Sequence, residues 1–319
     1  MLIDKIKELD IGLVLKDEPM KKHTTFRVGG PADIFIKPTD EDSLVKLMKF
    51  LNKENVAPFI LGQGSNLLVR DEGIRGVVIC IHKALTELTL DEDVIYTGSG
   101  NTVPDVAKFA QRNSLSNMEQ VSGIPGSIGG AVVMNAGAYG GEFKDFVLDV
   151  KVLNKDMEVE YISNKDMEFR YRGSSVLDRG YIVLGARLKL VKKDQSEIDI
   201  LMDDFTNRRV KKQPLNYPSA GSTFKRPEGY YAAALIEEAG LKGLVHKGAM
   251  VSKKHAGFII NHDDASYKDV IELIKLVQKE VYDYSGVMLE PEVKIIGENI
   301  WDKLEIITPI QFIPMENPQ

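Results

Sequence analysis

The sequence has almost no cysteine and no long apolar run. Cys80 is the only cysteine in 319 residues, so no disulfide and no cysteine-based metal site can form within the chain. No apolar stretch approaches the roughly 20 residues of a membrane span. The N-terminal residues alternate charged and apolar side chains and lack the apolar core of a signal peptide. We therefore expect a cytoplasmic protein with no membrane span, and we interpret Cys80, inside the apolar run 77–81, as a small core residue.

Metal-ligand spacing and a positive charge balance are also missing. The five histidines form no H-x-x-x-H or similar pair, so we predict no metal site. The net charge of −6 disfavours nucleic-acid binding. The charge is unevenly spread, because residues 205–254 hold ten Lys or Arg residues and three acidic residues. A basic segment in an acidic protein favours an anionic small ligand, and a solvated basic face is the alternative.

The dinucleotide fingerprint G-x-G-x-x-G at a strand–helix junction is absent as well, although glycine is locally abundant. Residues 122–141 contain seven of the 27 glycines, interleaved with apolar residues that exclude a flexible linker. Residues 61–68 form a second glycine-containing segment. Such glycines indicate positive φ angles or close approach of the backbone to a ligand, and exposed N–H groups can hold a phosphate. The two segments predict a ligand of dinucleotide size, and tight turns alone are the alternative.

The hydrophobic pattern predicts an α+β protein of two or three domains, since 319 residues exceed one small core. Strands and helices alternate without a regular βαβ period, which disfavours a Rossmann fold. From residue 147 the period changes to two, and Lys155-Asp156 predicts a hairpin between 147–154 and 157–162. The other predicted strands are 34–37, 58–61, 77–81, 94–97, 181–190, 258–261 and 287–296, and the predicted helices are 40–53, 102–111, 196–210, 230–239 and 267–282.

Six motifs, in one order over residues 21–297, resemble the UDP-N-acetylenolpyruvoylglucosamine reductase (MurB) family. They are Gly62–Leu68, Ser122–Gly130, Asn135–Tyr139, Tyr171–Ser174, Gly221–Lys225 and Leu289–Val293. The resemblance implies a multi-domain FAD-binding fold of the PCMH or vanillyl-alcohol-oxidase-like type, with a C-terminal α+β substrate domain. The implied FAD-binding subdomains are residues 1–84, completed by 287–319, and 85–203. The implied substrate domain is 204–286.

The resemblance also implies a two-step reaction in peptidoglycan precursor synthesis. NADPH reduces FAD, and flavin N5 then delivers hydride to C3 of UDP-N-acetylglucosamine enolpyruvate. A proton added at C2 yields UDP-N-acetylmuramate. An FAD-dependent oxidase or dehydrogenase of the same superfamily, acting on a different substrate, is the alternative. A non-catalytic nucleotide-binding protein is a third possibility, which the presence of all the catalytic-motif residues disfavours.

Three catalytic residues follow from the same resemblance. Arg172 would stabilise the negative charge that the hydride step leaves on the substrate. Ser222 would donate the proton, and because a serine hydroxyl is a poor acid it would need polarisation by Lys225 and Lys212. Glu292 matches the family's glutamate and could donate a hydrogen bond only with a raised pKa; Glu290 is the competing assignment.

The implied FAD contacts lie in three stretches of the chain. They are Thr25, Arg27, Gly62, Gly64, Ser65, Asn66, Leu67, Gly123, Ile124, Pro125, Gly126, Ser127, Gly130, Asn135, Ala136 and Gly137.

The implied substrate contacts fall mostly in the basic segment. They are Tyr139, Lys212, Lys225 and Arg226. Only 49 residues separate Arg172 from Ser222, which matches the shorter type II form of the family without the loop that covers the substrate. We therefore expect another segment, 242–255, to close over the substrate, and we leave His255 as either a ligand contact or a structural residue. We expect a monomer, and we make no prediction for the tail 298–319.

Overall fold

The structure, a computed structural model, describes residues 1–298. In this part of the chain there are eight α-helices and seventeen β-strands. The helices are α1 (Leu2–Lys7), α2 (Glu41–Lys53), α3 (Val103–Arg112), α4 (Ile128–Val133), α5 (Ser175–Arg179), α6 (Gln195–Lys212), α7 (Ala232–Glu238) and α8 (Tyr267–Ser285). The strands are β1 (Gly12–Pro19), β2 (Pro31–Pro38), β3 (Phe59–Leu61), β4 (Leu67–Cys80), β5 (Leu88–Asp91), β6 (Val94–Gly98), β7 (Leu115–Ser116), β8 (Gly137–Ala138), β9 (Gly141–Glu142), β10 (Val147–Leu153), β11 (Val159–Ser163), β12 (Ile182–Lys189), β13 (Val191–Lys192), β14 (Val245–His246), β15 (Ala249–Val251), β16 (Ile259–Asn261) and β17 (Lys294–Glu298).

Local sequence signals confirm several of the predicted helices. The Asp40 side chain accepts a hydrogen bond from the backbone N–H of Ser43 and caps α2. Thr102 caps α3, which has a proline in its first turn. Ser266 and Asp269 form a reciprocal capping box at the start of α8. These caps satisfy N–H groups that the first helical turn leaves without partners.

Two predicted strands were wrong in extent. Strand β4 begins at Leu67 rather than at residue 77, because exposed charged residues at its centre interrupt the apolar pattern. The last strand begins at Lys294 rather than at 287, and Pro291 forms only an isolated bridge with Phe224. Helix α4 lies inside the glycine-rich run and was not predicted, because its glycines interrupt the apolar pattern of a helix. The segment 287–319, predicted to complete the first FAD-binding subdomain, lies largely outside the described residues.

The chain forms two compact units. Unit 1 comprises Met1–Glu18, Ala32–Ser65 and Gly76–Gln213, and unit 2 comprises Pro19–Pro31, Asn66–Arg75 and the described residues from Pro214 onward. Strand β4 therefore contributes residues to both units.

Unit 1 is built on an antiparallel sheet with the strand order β11-β10-β12-β6-β5. The predicted hairpin is confirmed, with Asp149 opposite Ser163 in the β10–β11 pair. Buried side chains of α3, α4 and α6, such as Val106, Val132 and Ile198, share one core with this sheet. A second core joins α2 to β2 and β4, and β3 pairs in parallel with the end of β4. Cys80 is buried there, as expected.

Unit 2 contains the three-stranded antiparallel sheet β14-β15-β16. Helix α8 buries Ile274 and Val277 in one core with Ile236 of α7 and Ile259 of β16. Strand β17 pairs in parallel with the first residues of β4, with Lys294 opposite Leu67. No helix within residues 1–298 is both long and apolar enough to span a membrane.

Candidate active site

The predicted site residues divide between the two units. Unit 1 holds Gly62, Gly64, Ser65, Gly123, Ile124, Pro125, Gly126, Ser127, Gly130, Asn135, Ala136, Gly137, Tyr139, Arg172 and Lys212. Unit 2 holds Thr25, Arg27, Asn66, Leu67, Ser222, Lys225, Arg226 and Glu292.

The two glycine segments meet inside unit 1. A Cβ atom on Gly62 would overlap the Ser127 hydroxyl, and one on Gly126 would lie 3.4 Å from Ser65 Oγ. The backbone N–H of Val103 donates to the Gly126 carbonyl at 2.9 Å, which ties the second segment to the start of α3. The turn after β3 and the turn before α4 therefore form one surface, although 61 residues of sequence lie between Ser65 and Ser127.

This surface contains buried polar atoms without partners. Ser127 Oγ, Gln63 Oε1 and Ser99 Oγ are buried and form no hydrogen bond with any described residue. Ser99 belongs to the same place, since its Cβ would lie 2.9 Å from a Cβ on Gly129. Leaving a buried hydroxyl unpaired costs on the order of 1–3 kcal/mol. A polar ligand rich in hydrogen-bonding atoms would pair them, and the diphosphate and ribityl groups of FAD have this chemistry.

At Gly130 the fold does not require a glycine, whereas a bound ligand would. It is an exposed residue of α4 with no positive φ, and a Cβ there would meet nothing closer than Ser127 Oγ at 3.6 Å. Alanine would stabilise this helix by roughly 0.5–1 kcal/mol relative to glycine. Nothing in the described part of the chain requires glycine at this position. Its small size therefore fits a group lying directly on the first turn of α4, and the cradle as a whole fits FAD.

Arg172 lies at the tip of a short turn in unit 1. Arg170 and Gly173 pair through two backbone hydrogen bonds of 3.0 and 3.2 Å, and Arg172 itself has φ 54°. Its guanidinium lies 5.0 Å from the centre of the Tyr171 ring. Ser174 Oγ donates to the Val133 carbonyl at 2.9 Å, so the turn is fastened to the end of α4.

Asn135 provides the second attachment of this turn. The amide Nδ2 donates to the Arg170 carbonyl at 3.2 Å and to Glu142 Oε2 at 3.0 Å. The amide Oδ1 accepts from the Lys144 N–H at 3.0 Å. The side chain is 1% exposed, so its atoms are used within the protein. A contact of Asn135 with FAD, as the sequence predicts, would therefore have to use its backbone.

Two further predicted residues of unit 1, Tyr139 and Lys212, lie at α6. The Tyr139 ring is half exposed and packs 5.1 Å, centre to centre, from Phe205. Lys212 is the exposed last residue of the helix. Arg209, also on α6, lies against Gly123. Sequence analysis missed this contact because only the fold brings Arg209 and Gly123 together.

In unit 2 the segments that carry Ser222 and Glu292 run side by side. The Glu292 N–H donates to the Thr223 carbonyl and the Lys225 N–H to the Glu290 carbonyl, both at 2.8 Å. The buried Thr223 also accepts from the Ile259 N–H at 2.9 Å, which anchors the pair to β16. Ser222 is exposed next to this anchored residue.

The charged side chains of these segments are partly paired. Lys225 Nζ forms an ion pair with the Glu290 carboxylate. Glu290, the alternative to Glu292 as the catalytic glutamate, is thus paired with a lysine that is predicted to bind substrate. Arg226 lies over the ring of Tyr231, 4.1 Å from its centre.

Three further predicted residues also belong to unit 2. Asn66 Nδ2 donates to the Glu292 carbonyl at 3.4 Å, and Thr25 Oγ1 donates to the Ser219 carbonyl at 2.7 Å. Arg27, with φ 56°, lines an open cavity of about 350 Å³ together with Lys21 and Asp71. Asn66 thereby fixes the backbone of a predicted catalytic residue.

The segment predicted to close over the substrate, 242–255, contains two strands. Its residues 245–251 contain β14 and β15, and Ala249–Val251 are buried. His255 Nδ1 accepts from the Gly257 N–H at 3.2 Å and its ring packs edge-on against Phe258. The closing role of 242–255 stays a prediction. No cluster of three potential metal ligands occurs within residues 1–298.

Two family models match the chain. The model described as "UDP-N-acetylenolpyruvoylglucosamine reductase, C-terminal domain" matches residues 213–296, and an "FAD binding domain" model matches residues 32–163. The second range contains most of the unit 1 cradle, and the first contains Ser222 and Glu292.

Curated relatives match over nearly the whole chain. A UDP-N-acetylenolpyruvoylglucosamine reductase of Clostridioides difficile is 49% identical over 89% of this chain and 93% of its own length. The reductase of Caldanaerobacter subterraneus is 48% identical over 93% of this chain and 99% of its own length. The crystal structure of the Thermus caldophilus reductase matches with a TM-score of 0.76 and 36% identity, covering 89% of this chain and 98% of that one.

Proposed function

The chain belongs to the UDP-N-acetylenolpyruvoylglucosamine reductase family, and from this premise we propose that it reduces UDP-N-acetylglucosamine enolpyruvate to UDP-N-acetylmuramate. It is an FAD-dependent oxidoreductase, and NADPH is the reductant of the family. The observation that carries the proposal is the meeting of the two glycine segments at unpaired, buried polar atoms, within the range of an FAD-binding domain.

The residues of unit 1 would hold and orient the cofactor. The proposed contacts are the backbone N–H groups of the turns at 62–65 and 123–127, together with the Ser127 hydroxyl. When bound, FAD would supply the hydride-transfer chemistry that connects NADPH with the substrate. Gly130, in α4, and Ala136 and Gly137, which follow this helix, are further proposed contacts. We keep Thr25, Arg27, Asn66 and Leu67 as proposed contacts from unit 2.

The chain's own groups would then complete the reaction. We assign Arg172 to the negative charge that develops at the substrate carboxylate and C2, since a guanidinium can donate two parallel hydrogen bonds to it. We assign Ser222 as the donor of the proton to C2. Glu292 would orient the same part of the substrate, its carboxylate and C2. The backbone of Glu292 is held by hydrogen bonds with Thr223 and Asn66.

Binding of the substrate diphosphate would use the basic segment. Lys212, Lys225 and Arg226 are the proposed contacts, with Tyr139 as an aromatic contact. For Lys225 to bind substrate, the substrate oxygens would compete with Glu290 for its ammonium group. We also propose the division into 1–84 completed by 287–319, 85–203 and 204–286, and a cytoplasmic location. We propose a monomeric state as well, which sedimentation would test.

An anaerobic experiment with two half-reactions tests the function. NADPH is expected to bleach the flavin absorption of the purified protein, and UDP-N-acetylglucosamine enolpyruvate is expected to restore it. Bleaching without recovery would reject this substrate and favour an oxidase or dehydrogenase with another one. A protein that binds no FAD after reconstitution would overturn the proposal as a whole.

A further inference from the structure

One amide side chain lies in the apolar face of α8. The buried residues of this helix are Val270, Ile271, Leu273, Ile274, Val277, Gln278 and Val281. Gln278 is the only polar residue of that set, and it is 2% exposed. Burying a polar side chain in an apolar core is unfavourable unless the side chain is hydrogen-bonded. The hydrogen bonds of Gln278 are therefore the basis for assigning it a role.

Gln278 is bonded to the segment that carries Glu292. Its Nε2 donates to the backbone carbonyl of Leu289 at 2.8 Å, and both residues are buried. Three residues further along the chain, the Glu292 N–H donates to the Thr223 carbonyl, also at 2.8 Å. The segment 289–292 is therefore held by α8 at its first residue, and at its last residue by the direct neighbour of Ser222.

Stability alone does not account for this amide. Gln278 Oε1 is buried and forms no hydrogen bond with any described residue. The favourable bond of Nε2 is therefore offset by the cost of a buried acceptor without a partner in the described part of the chain. An apolar side chain of similar length would avoid that cost, but it would leave the Leu289 carbonyl unattached. What the amide adds to an apolar residue is thus mainly a fixed position for the Leu289 backbone.

We infer that Gln278 is a positioning residue for the proposed proton transfer: its bond to Leu289 sets where the segment 289–292 presents Glu292 relative to Ser222. The inference rests on the proposed function and extends it to a residue outside the motifs of that site. Gln278 would act through Glu292 rather than on the substrate. Because a misplacement of about 1 Å can cost about a hundredfold in rate, releasing this segment should slow the chemical step more than it weakens binding.

Two variants of Gln278 test the inference. Gln278→Met has an unbranched apolar side chain of similar length and no donor for the Leu289 carbonyl. Gln278→Glu can donate to that carbonyl only while its carboxyl is protonated. Burial at this position should raise the pKa of the new carboxyl, so that it changes its protonation state nearer to neutral pH than an exposed glutamate does.

Ser285→Ala is the matched control, at the end of the same helix. Ser285 Oγ donates to the Val281 carbonyl at 2.8 Å and accepts from the Val287 N–H at 3.3 Å. These two bonds lie next to the connection between α8 and Leu289 but do not include the segment of Glu292. For each protein we would measure the melting temperature, flavin reduction by NADPH, and anaerobic flavin reoxidation over a range of concentrations of the enolpyruvyl substrate.

Gln278→Met is expected to lose rate in one half-reaction only. Its reoxidation rate at saturating substrate should fall by about tenfold, with the apparent Kd for the substrate within about threefold of the parent value. Its reduction by NADPH should stay within about twofold. Its melting temperature should stay within about 2 °C of the parent, because the lost bond and the removed unpaired acceptor offset each other.

The other two proteins should behave differently from Gln278→Met. Ser285→Ala should melt about 2–4 °C below the parent and keep both rates, because it loses two hydrogen bonds without releasing Leu289. Gln278→Glu should reoxidise faster, relative to the parent, at about pH 6 than at about pH 8, since its protonated carboxyl restores the donor. The same ratio for Gln278→Met should not change with pH.

Four outcomes would overturn the inference. The first is a reoxidation rate of Gln278→Met within about threefold of the parent, and the second is an equal loss in both half-reactions, which would make Gln278 a packing residue. The third is an equal loss of reoxidation rate in Ser285→Ala. The fourth is a Gln278→Glu ratio that is independent of pH, and it decides alone if Gln278→Met does not fold. If the reduced parent protein is not reoxidised by the enolpyruvyl substrate, the proposed function fails first, which separates the two cases.

Discussion

The candidate residues of the two units work by different means. In unit 1 the cradle consists of backbone turns whose glycines leave room, as at Gly62 and Gly130. In unit 2 the candidate residues are side chains on two segments joined by backbone hydrogen bonds, as at Ser222 and Glu292. The unit 1 surface should therefore be sensitive mainly to added atoms, and the unit 2 residues to removed ones.

Removing one atom from unit 2 should have the largest effect. Ser222→Ala deletes the proposed proton donor, and a positioned acid contributes about 10²–10⁴-fold to rate. We expect the rate of flavin reoxidation by the enolpyruvyl substrate to fall by that factor. Stopped-flow absorbance of the reduced flavin measures it.

The other half-reaction is the control for Ser222→Ala. Reduction by NADPH needs no proton from Ser222 and should stay within about twofold of the parent rate. Equal losses in both half-reactions would indicate a damaged flavin site, and a reoxidation rate within tenfold of the parent would remove Ser222 from the chemistry.

Adding one atom to unit 1 should have the next largest effect. Gly130→Ala places a methyl group where the proposed cofactor lies, and we expect the Kd for FAD to rise by about tenfold or more. The FAD-free protein should instead become more stable by roughly 0.5–1 kcal/mol, because alanine favours the helix. Calorimetry and FAD titration measure the two quantities.

A neighbouring glycine supplies the comparison for Gly130. Gly129→Ala would bring a Cβ within 2.9 Å of Ser99 Cβ, so it should lower the melting temperature of the FAD-free protein as well. Unchanged FAD binding in Gly130→Ala would mean that no ligand lies on the first turn of α4.

One unit 1 side chain should depart from this pattern. Asn135→Ala removes three hydrogen bonds, including the one to the turn that presents Arg172. We expect a stability loss of about 2–3 kcal/mol and a fall of about tenfold in kcat for reoxidation, with the Kd for FAD unchanged.

Asn164→Ala separates positioning from stability in this test. Its Nδ2 donates to the Lys144 and Val147 carbonyls at 2.9 and 2.7 Å, with no bond to the Arg172 turn. It should lose comparable stability and keep its kcat. If both variants lost kcat equally, the effect of Asn135 would be a general loosening of unit 1, and its positioning role would be rejected.

The fold was predictable from sequence where the causes are local. The caps at Asp40 and Thr102 each involve a residue three positions further along the chain. The hairpin around Lys155 follows from the period of the apolar residues and from the turn. The start of β4 was missed because its charged centre is stabilised by pairing with distant strands, which no local pattern records.

The same distinction holds for the candidate site. The motifs predicted that both glycine segments bind one ligand, and in the structure the segments approach each other at Gly62 and Ser127. The Asn135 amide forms hydrogen bonds within the protein, and Arg209 approaches Gly123. The partners in these contacts lie up to 86 residues apart in the sequence. Such contacts are tertiary, and only the structure reveals them.

The smallest expected effect extends the comparison to the surface of unit 2. Glu272 of α8 accepts from His246 and Lys247 of the β14 region, both at 2.8 Å, and Lys268 lies 4.0 Å away. Hydrogen bonds from Lys247 and His246 lower the Glu272 pKa from 4.5 to about 2. Because the folded pKa is depressed, the stabilisation is complete above pH 4.5 and disappears as the pH falls towards 2.

Glu272→Gln should therefore lower the melting temperature by about 1 °C at pH 7, since exposed pairs contribute little. The difference from the parent should shrink below pH 4.5 and with added salt. Glu280→Gln, on the same helix beside one exposed lysine at 3.5 Å, is the control. A Glu272→Gln difference that stayed constant down to the lowest pH at which the protein is folded would show that the carboxylate charge does not hold the hairpin to α8.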